Sequence, residues 1–265
     1  MTAAILIFLI VAAIYVGLIL PRLINRADMS NLIEDYAHRG LHNEALPENS
    51  LGAFKNAVEH RVGIELDIQL SKDKVPMVFH DETLKRVCGI DAKLSDYTAE
   101  ELGKIKLLDS DYTIPTFESV LELVDGRVPL LVEFKRGNSQ LCEIACDLLD
   151  NYKGSFCVES FDPTLLMKIK KHRPEYAIGQ LVTNMFKNDF SKNPFLNFGL
   201  TAMLFNVISR PDFISYDKKM EHNLSVILCK KLFRVPMFIW TVNDRNEYEK
   251  YRSLTLVSIF EKFEP

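Results

Sequence analysis

"AHRGLHNEALPENSLGAFKNAVEHRVGIELDIQL", residues 37–70, carries two patterns at once. Leu51, Phe54, Ala57 and Val58 recur at steps of three and four residues, which predicts an amphipathic helix. "YAH" (36–38) before it and "GIELDI" (63–68) after it read as short strands, so the stretch is a strand–helix–strand unit. Packing explains its apolar residues. It does not explain His38, Arg39, Glu48, Asn49, Glu65 and Asp67, polar groups gathered where strands end.

Further along, strand-like runs keep alternating with helical patterns. They are "PLLVEF" (129–134), "SFCVESF" (155–161), "YAIGQLV" (176–182), "DFISYD" (212–217), "PMFIWTV" (236–242) and "LTLVSIF" (254–260), which makes eight with the first two. Near-continuous apolar runs suit parallel strands covered on both faces. Eight such βα units in about 230 residues predict a TIM-type (β/α)8 barrel over 34–265, with a doubly wound open sheet as the alternative. "KVPMVFHDETL" (74–84) is also strand-like but starts seven residues after Asp67, too soon for a parallel crossover. It is expected to fold back as a hairpin turning near 71–74, followed by a small insertion over about 82–113.

"AAILIFLIVAAIYVGLIL" (3–20) is eighteen residues without charge or proline. At about 1.5 Å per residue it would reach roughly 27 Å, near the hydrocarbon thickness of a bilayer. This predicts a single-pass transmembrane anchor over 1–21, a juxtamembrane linker over 22–33 and the membrane as a partner. Arg22 and Arg26 follow the run while no basic residue precedes it, which places the catalytic domain on the cytoplasmic side.

The 265 residues carry a net charge of −4, which argues against a nucleic-acid partner. Five cysteines (Cys88, Cys142, Cys146, Cys157 and Cys229) match no zinc spacing and read as buried thiols.

Chemistry in a barrel of this kind sits at strand ends. Glu65 and Asp67, two apart on one strand, project to the same side, and Glu133 on the next strand can face them. Three converging carboxylates repel one another in a low-dielectric mouth unless a cation is shared, and all-oxygen ligation suits Mg²⁺ or Ca²⁺ better than zinc. His38 and His80 flank this cluster, and an imidazole near its natural pKa both accepts and donates protons at neutral pH. Arg39 offers the forked donor that phosphate oxygens accept. In "PENS" (47–50), Asn49 or Ser50 reads as a helix cap, with Glu48 a cation ligand or an orienting group. Trp240, the single tryptophan, reads as a pocket wall or a core aromatic.

"AHRG", "PENS…AF", "ELDIQLSKD", "VPMVFHD..L.R", "IPTFESVL", "LLVEFK", "ESFDP" and "WTVN", in this order over 36–243, resemble the glycerophosphodiester phosphodiesterases. The resemblance implies metal-dependent hydrolysis of a glycerophosphodiester to glycerol 3-phosphate and an alcohol. It implies one divalent cation on Glu65, Asp67 and Glu133, His38 and His80 as the acid/base pair, and Arg39 and Lys135 as phosphate contacts, with Trp240 beside the substrate. Two places depart from the family pattern: Lys74 stands where a glycine is usual, and "SIFEKFEP" (258–265) replaces a Thr-Asp-x-Pro-like close. Other readings are action on lysophospholipid or sphingolipid headgroups, and an inactive membrane-tethered binding protein. The apolar stretch "NPFLNFGLTAMLFNVI" (193–208) reads as an outer-layer helix or as a lipid-contacting lid over the mouth.

Overall fold

Strand residues whose alternate side chains all need burial must be covered on two sides, and closure into a barrel with an outer helical ring achieves this. The computed structural model, which describes residues 2–137, 140–187 and 191–264, has that architecture. Eight parallel strands among the described residues close on themselves. They are β1 (Tyr36–Ala37), β2 (Gly63–Leu70), β4 (Leu130–Phe134), β5 (Phe156–Ser160), β6 (Ile178–Val182), β7 (Phe213–Asp217), β8 (Met237–Val242) and β9 (Val257–Phe260). Pairing of β1 with both β2 and β9 shuts the ring and excludes the open sheet. The remaining strand, β3 (Pro76–Val78), lies antiparallel on β2 as the return arm of a hairpin. Lys74 makes its turn with a φ of +69°, so the usual glycine is replaced without loss of the turn.

Strand parity divides the interior into layers. Ile64, Leu66, Ile68, Leu130, Val132 and Val158 face the outer helices in one large apolar cluster. Their alternates Tyr36, Leu131, Cys157, Phe213, Phe238 and Val257 fill the lumen. Continuing these rows toward the C-terminal mouth gives His38 on β1, Glu65 and Asp67 on β2, Glu133 on β4 and Glu159 on β5, so on that side the lumen passes from apolar to charged within two residues per strand, while β8 and β9 continue into Trp240 and Ile259. The segment after β3 has its own small core of Met77, Phe79, Leu84, Val87, Leu94, Leu102, Leu107 and Ile114. All five cysteines are free.

The N-terminal run corrects the anchor expectation. Its helix covers Thr2–Leu18, 17 residues, and no helix among the described residues is long and apolar enough to cross a membrane. The physical reason lies at its C-terminal end, where the chain is tied to the barrel's flank instead of continuing. Ile19 is fully buried in the outer core, its carbonyl accepts from Asn206 Nδ2 at 3.1 Å, and Arg210 Nη1 donates to the Leu20 carbonyl at 3.1 Å. Tyr15 Oη lies 2.6 Å from Ser225 Oγ. The single-pass placement and the cytoplasm-facing domain that rested on this helix are overturned with it, and no helix among the described residues supports the expected membrane contact. Residues 22–33, expected as a linker, run beneath the barrel, where Ala27, Met29 and Leu32 pack against the lumen cluster.

Candidate active site

Glu65, Asp67 and Glu133 come together at the mouth. Each offers an oxygen within 4.8 Å of the others, and all three are buried. Parallel register explains the meeting: Asp67 on β2 stands opposite Glu133 on β4, which stands opposite Glu159 on β5. Lys135 Nζ lies 2.7 Å from Asp67 Oδ1 and 2.8 Å from Glu133 Oε1. Burial and the neighbouring Asp67, Glu159 and Glu133 charges push the Glu65 carboxyl well above the usual range. Burial also raises Glu133 despite the pull of Lys135. Asp67 is held well below the usual range because Lys135, His80 and Arg39 together outweigh its burial. One ammonium among this many acids leaves an excess of negative charge in an oxygen-only donor set. That is the environment a hard divalent cation relieves, and the residues fit one.

The loop after β1 aims its polar groups at this cluster by turning left-handed. Arg39 has φ +57° and Gly40 φ +82°. Arg39 N donates to Glu65 Oε2 at 2.9 Å, and Nη1 donates to Glu48 Oε1 at 2.7 Å, with Nε 3.7 Å from Asp67 Oδ2. A Cβ on Gly40 would meet Phe54 Cδ1 at 2.9 Å and Ala53 Cβ at 3.0 Å. Gly40→Ala is therefore expected to cost about 1–3 kcal/mol of stability, measured as a lowered denaturation midpoint. An unchanged midpoint would show that the turn has room to relax.

"PENS" divides its labour. Ser50 caps the helix Leu51–Glu59 by accepting from Ala53 N at 3.1 Å. Asn49, buried, donates from Nδ2 to Asp67 Oδ2 at 2.8 Å and so orients a carboxylate of the cluster. Glu48 does not join the cluster. It is gripped by Arg39 and by both terminal nitrogens of Arg86, which outweigh its burial and hold its carboxyl at about 2.

The two histidines follow β1 and β3, both of which pair with β2, and both border one cavity. His38 Nδ1 lies 2.9 Å from Glu261 Oε2, and His80 Nδ1 lies 2.6 Å from Asp81 Oδ1. An ionised carboxylate only accepts, so each ring carries its hydrogen on Nδ1 when neutral and keeps Nε2 as the free acceptor. Burial holds His38 below the ordinary imidazole value even against its bond to Glu261. That bond in turn holds the Glu261 carboxyl far below the usual range. Around His80, Gln69 Nε2 donates to the carbonyls of both Phe79 and Asp81 at 2.8 Å, and Arg86 Nε binds Asp81 Oδ2 at 2.6 Å.

His38, Arg39, Glu65, His80, Glu133 and Trp240 all border one cavity of ≈ 270 Å³. Its opposite wall is apolar, made by Phe161, Leu181, Trp240 and Ile259, with the Phe161 and Trp240 rings edge-on at 6.0 Å. Trp240 is thus a pocket wall.

Glu159, Glu261 and Phe161 escaped the sequence reading. Glu159 carried the same signal as Glu65, a charge inside an apolar strand run, and was findable. Glu261 carried none that separates it from a surface acid, because its role depends on His38, a histidine it meets only in space.

The family model described as the glycerophosphoryl diester phosphodiesterase family matches residues 38–261. A glycerophosphodiester phosphodiesterase of Caldanaerobacter subterraneus subsp. tengcongensis is 30% identical over 228 residues, covering 81% of this chain and 87% of that protein. Among solved structures, a glycerophosphodiester phosphodiesterase from Thermotoga maritima superposes with TM-score 0.64 at 29% identity, over 85% of this chain and 92% of that one. A phosphodiesterase from Oleispira antarctica, in complex with the product sn-glycerol-3-phosphate, gives TM-score 0.68 at 21% identity over 86% and 92% of the two chains, a likeness of fold.

Proposed function

Since the chain belongs to the glycerophosphoryl diester phosphodiesterase family and is thereby a phosphoric diester hydrolase, we propose that it cleaves small glycerophosphodiesters to glycerol 3-phosphate and an alcohol. The observation that carries this reading is the meeting of Glu65, Asp67 and Glu133 within 4.8 Å, in a cavity that His38 and His80 also border. The product bound by the Oleispira antarctica neighbour is consistent with the same chemistry.

The three carboxylates would hold one divalent cation, Mg²⁺ or Ca²⁺, which when bound supplies Lewis-acid neutralisation of phosphate charge. Arg39 and Lys135 add fixed positive charge at the same end of the cavity. His38 is the general base. Burial keeps it neutral at physiological pH, and its Nε2 takes the proton of the attacking oxygen, either the adjacent glycerol hydroxyl or a water. His80 is the general acid: Asp81 holds Nδ1, which leaves Nε2–H to give its proton to the leaving alkoxide as the P–O bond breaks. Trp240 and Phe161 wall the substrate from the far side.

Glu261 is assigned a positioning role for His38. Glu261→Gln removes the charge that supports an imidazolium there, so the His38 pKa falls further. The expected result is a kcat lowered about ten- to hundredfold, with the acidic limb of the kcat/KM profile moved to lower pH. A purely structural loss would leave that limb in place.

Release of glycerol 3-phosphate from glycerophosphocholine, with metal and after its removal, tests the reading as a whole. Turnover that requires the cation supports it. Tight binding of glycerophosphocholine without release would make the chain an inactive binding protein instead.

A further inference from the structure

The guanidinium of Arg86 stands behind two groups of the catalytic cavity at once. Its Nη1 donates to Glu48 Oε2 at 2.8 Å and its Nη2 to Glu48 Oε1 at 2.7 Å, a bidentate pair. Nε donates to Asp81 Oδ2 at 2.6 Å, and Nη2 also to Asp81 Oδ1 at 3.1 Å. Each carboxylate spends its other contact on a residue that borders the cavity. Glu48 Oε1 accepts from Arg39 Nη1 at 2.7 Å, and Asp81 Oδ1 lies 2.6 Å from His80 Nδ1. The result is a chain of charge-assisted bonds in the order Arg39, Glu48, Arg86, Asp81, His80.

A lone exposed ion pair contributes only about 0–1 kcal/mol, and the Arg86 side chain is 50% exposed. This pairing differs because one planar fork is shared between two carboxylates, which fixes them relative to each other. Its backbone is fixed as well. Leu84 and Val87, on either side, are buried in the separate small core of the insertion. Leu84 N donates to the Ala92 carbonyl at 2.9 Å, and Leu108 N to the Val87 carbonyl at 2.8 Å. Burial would raise the Asp81 carboxyl, but its bonds to His80 and Arg86 hold it well below the usual range, so it stays an acceptor for both. We infer that Arg86 is a positioning residue that sets Arg39 and His80 together, so that phosphate binding and leaving-group protonation both depend on one guanidinium carried by the insertion. The inference rests on the phosphodiesterase reading of the site. Without Arg86, Glu48 no longer anchors Arg39, and the Asp81 carboxylate is free to turn away from His80.

Arg86→Ala is expected to raise KM for glycerophosphocholine about three- to tenfold and to lower kcat about tenfold or more. Glu48→Ala should reproduce the rise in KM, and Asp81→Ala the fall in kcat. A p-nitrophenyl ester of glycerophosphate, whose leaving group needs no proton, should restore kcat in Arg86→Ala and Asp81→Ala while KM in Arg86→Ala stays raised. Arg86→Lys supplies the charge without the fork and should restore at most one of the two constants. An equal fall in kcat on both substrates, either constant within twofold of wild type in Arg86→Ala, or full recovery in Arg86→Lys overturns the coupling. Calorimetric binding of glycerol 3-phosphate and imidazole ¹⁵N spectra read the two arms without turnover. Unchanged Kd and an unchanged His80 Nδ1–H signal in Arg86→Ala overturn the coupling whatever the activity. A weaker Kd together with an altered His80 signal, in a protein that turns nothing over, keeps the coupling and overturns the phosphodiesterase reading.

Discussion

Replacement of His38 or His80 by alanine is expected to lower kcat on glycerophosphocholine about a hundredfold or more, with KM changed little. Each loses one proton transfer in the transition state and no contact that holds the ground-state phosphate, which falls to Arg39 and Lys135. The two variants are further distinguished by the leaving group. A substrate with an acidic leaving group, such as a p-nitrophenyl ester of glycerophosphate, needs no proton on departure. It should restore most of the activity of His80→Ala and little of that of His38→Ala. The opposite pattern would exchange the two roles, and wild-type-like turnover in the double variant would remove both histidines from the chemistry.

The second large effect concerns the acidic cluster. Chelation, or Glu65→Gln, Asp67→Asn or Glu133→Gln, is expected to lower turnover roughly a thousandfold, the scale of several kcal/mol of charge stabilisation. The same substitutions should not behave alike in stability. Glu65 has its carboxyl raised in the folded protein. Above the ordinary carboxyl value the unfolded chain ionises while the folded one resists, so this residue costs the metal-free protein stability as pH rises. Glu65→Gln should then raise the metal-free unfolding midpoint at neutral pH while it abolishes turnover. Asp67 has the reverse sign: its depressed carboxyl contributes stability above the unfolded value, lost as pH falls, and Asp67→Asn should lower the midpoint. Denaturant unfolding of both variants after chelation checks the pair. A lower midpoint for Glu65→Gln would mean that Arg39 N and its neighbours need that charge more than burial opposes it.

Much of the fold was legible because parity writes the barrel into the sequence. Glu65 and Asp67 interrupt an apolar strand at alternate positions, and Glu133 does so one crossover later; register then brings Glu133 level with Asp67. What remained hidden depends on contacts across long separations. Glu261 meets His38 across 223 residues. Asn49 and Ser50 are both good caps, and only the position of Asp67 decides which one caps and which one orients. The N-terminal run misled for a related reason. Its composition is that of a membrane helix, but where such a helix stops depends on what its end meets, and Ile19 meets the barrel core.

Anomalous diffraction from crystals grown with Mn²⁺, recorded at the manganese edge, reads the acidic cluster directly. The account predicts one peak at the barrel mouth within ligand distance of oxygens from Glu65, Asp67 and Glu133 together. A cluster still spanned only by Lys135, or a manganese ion bound away from these three residues, would contradict it.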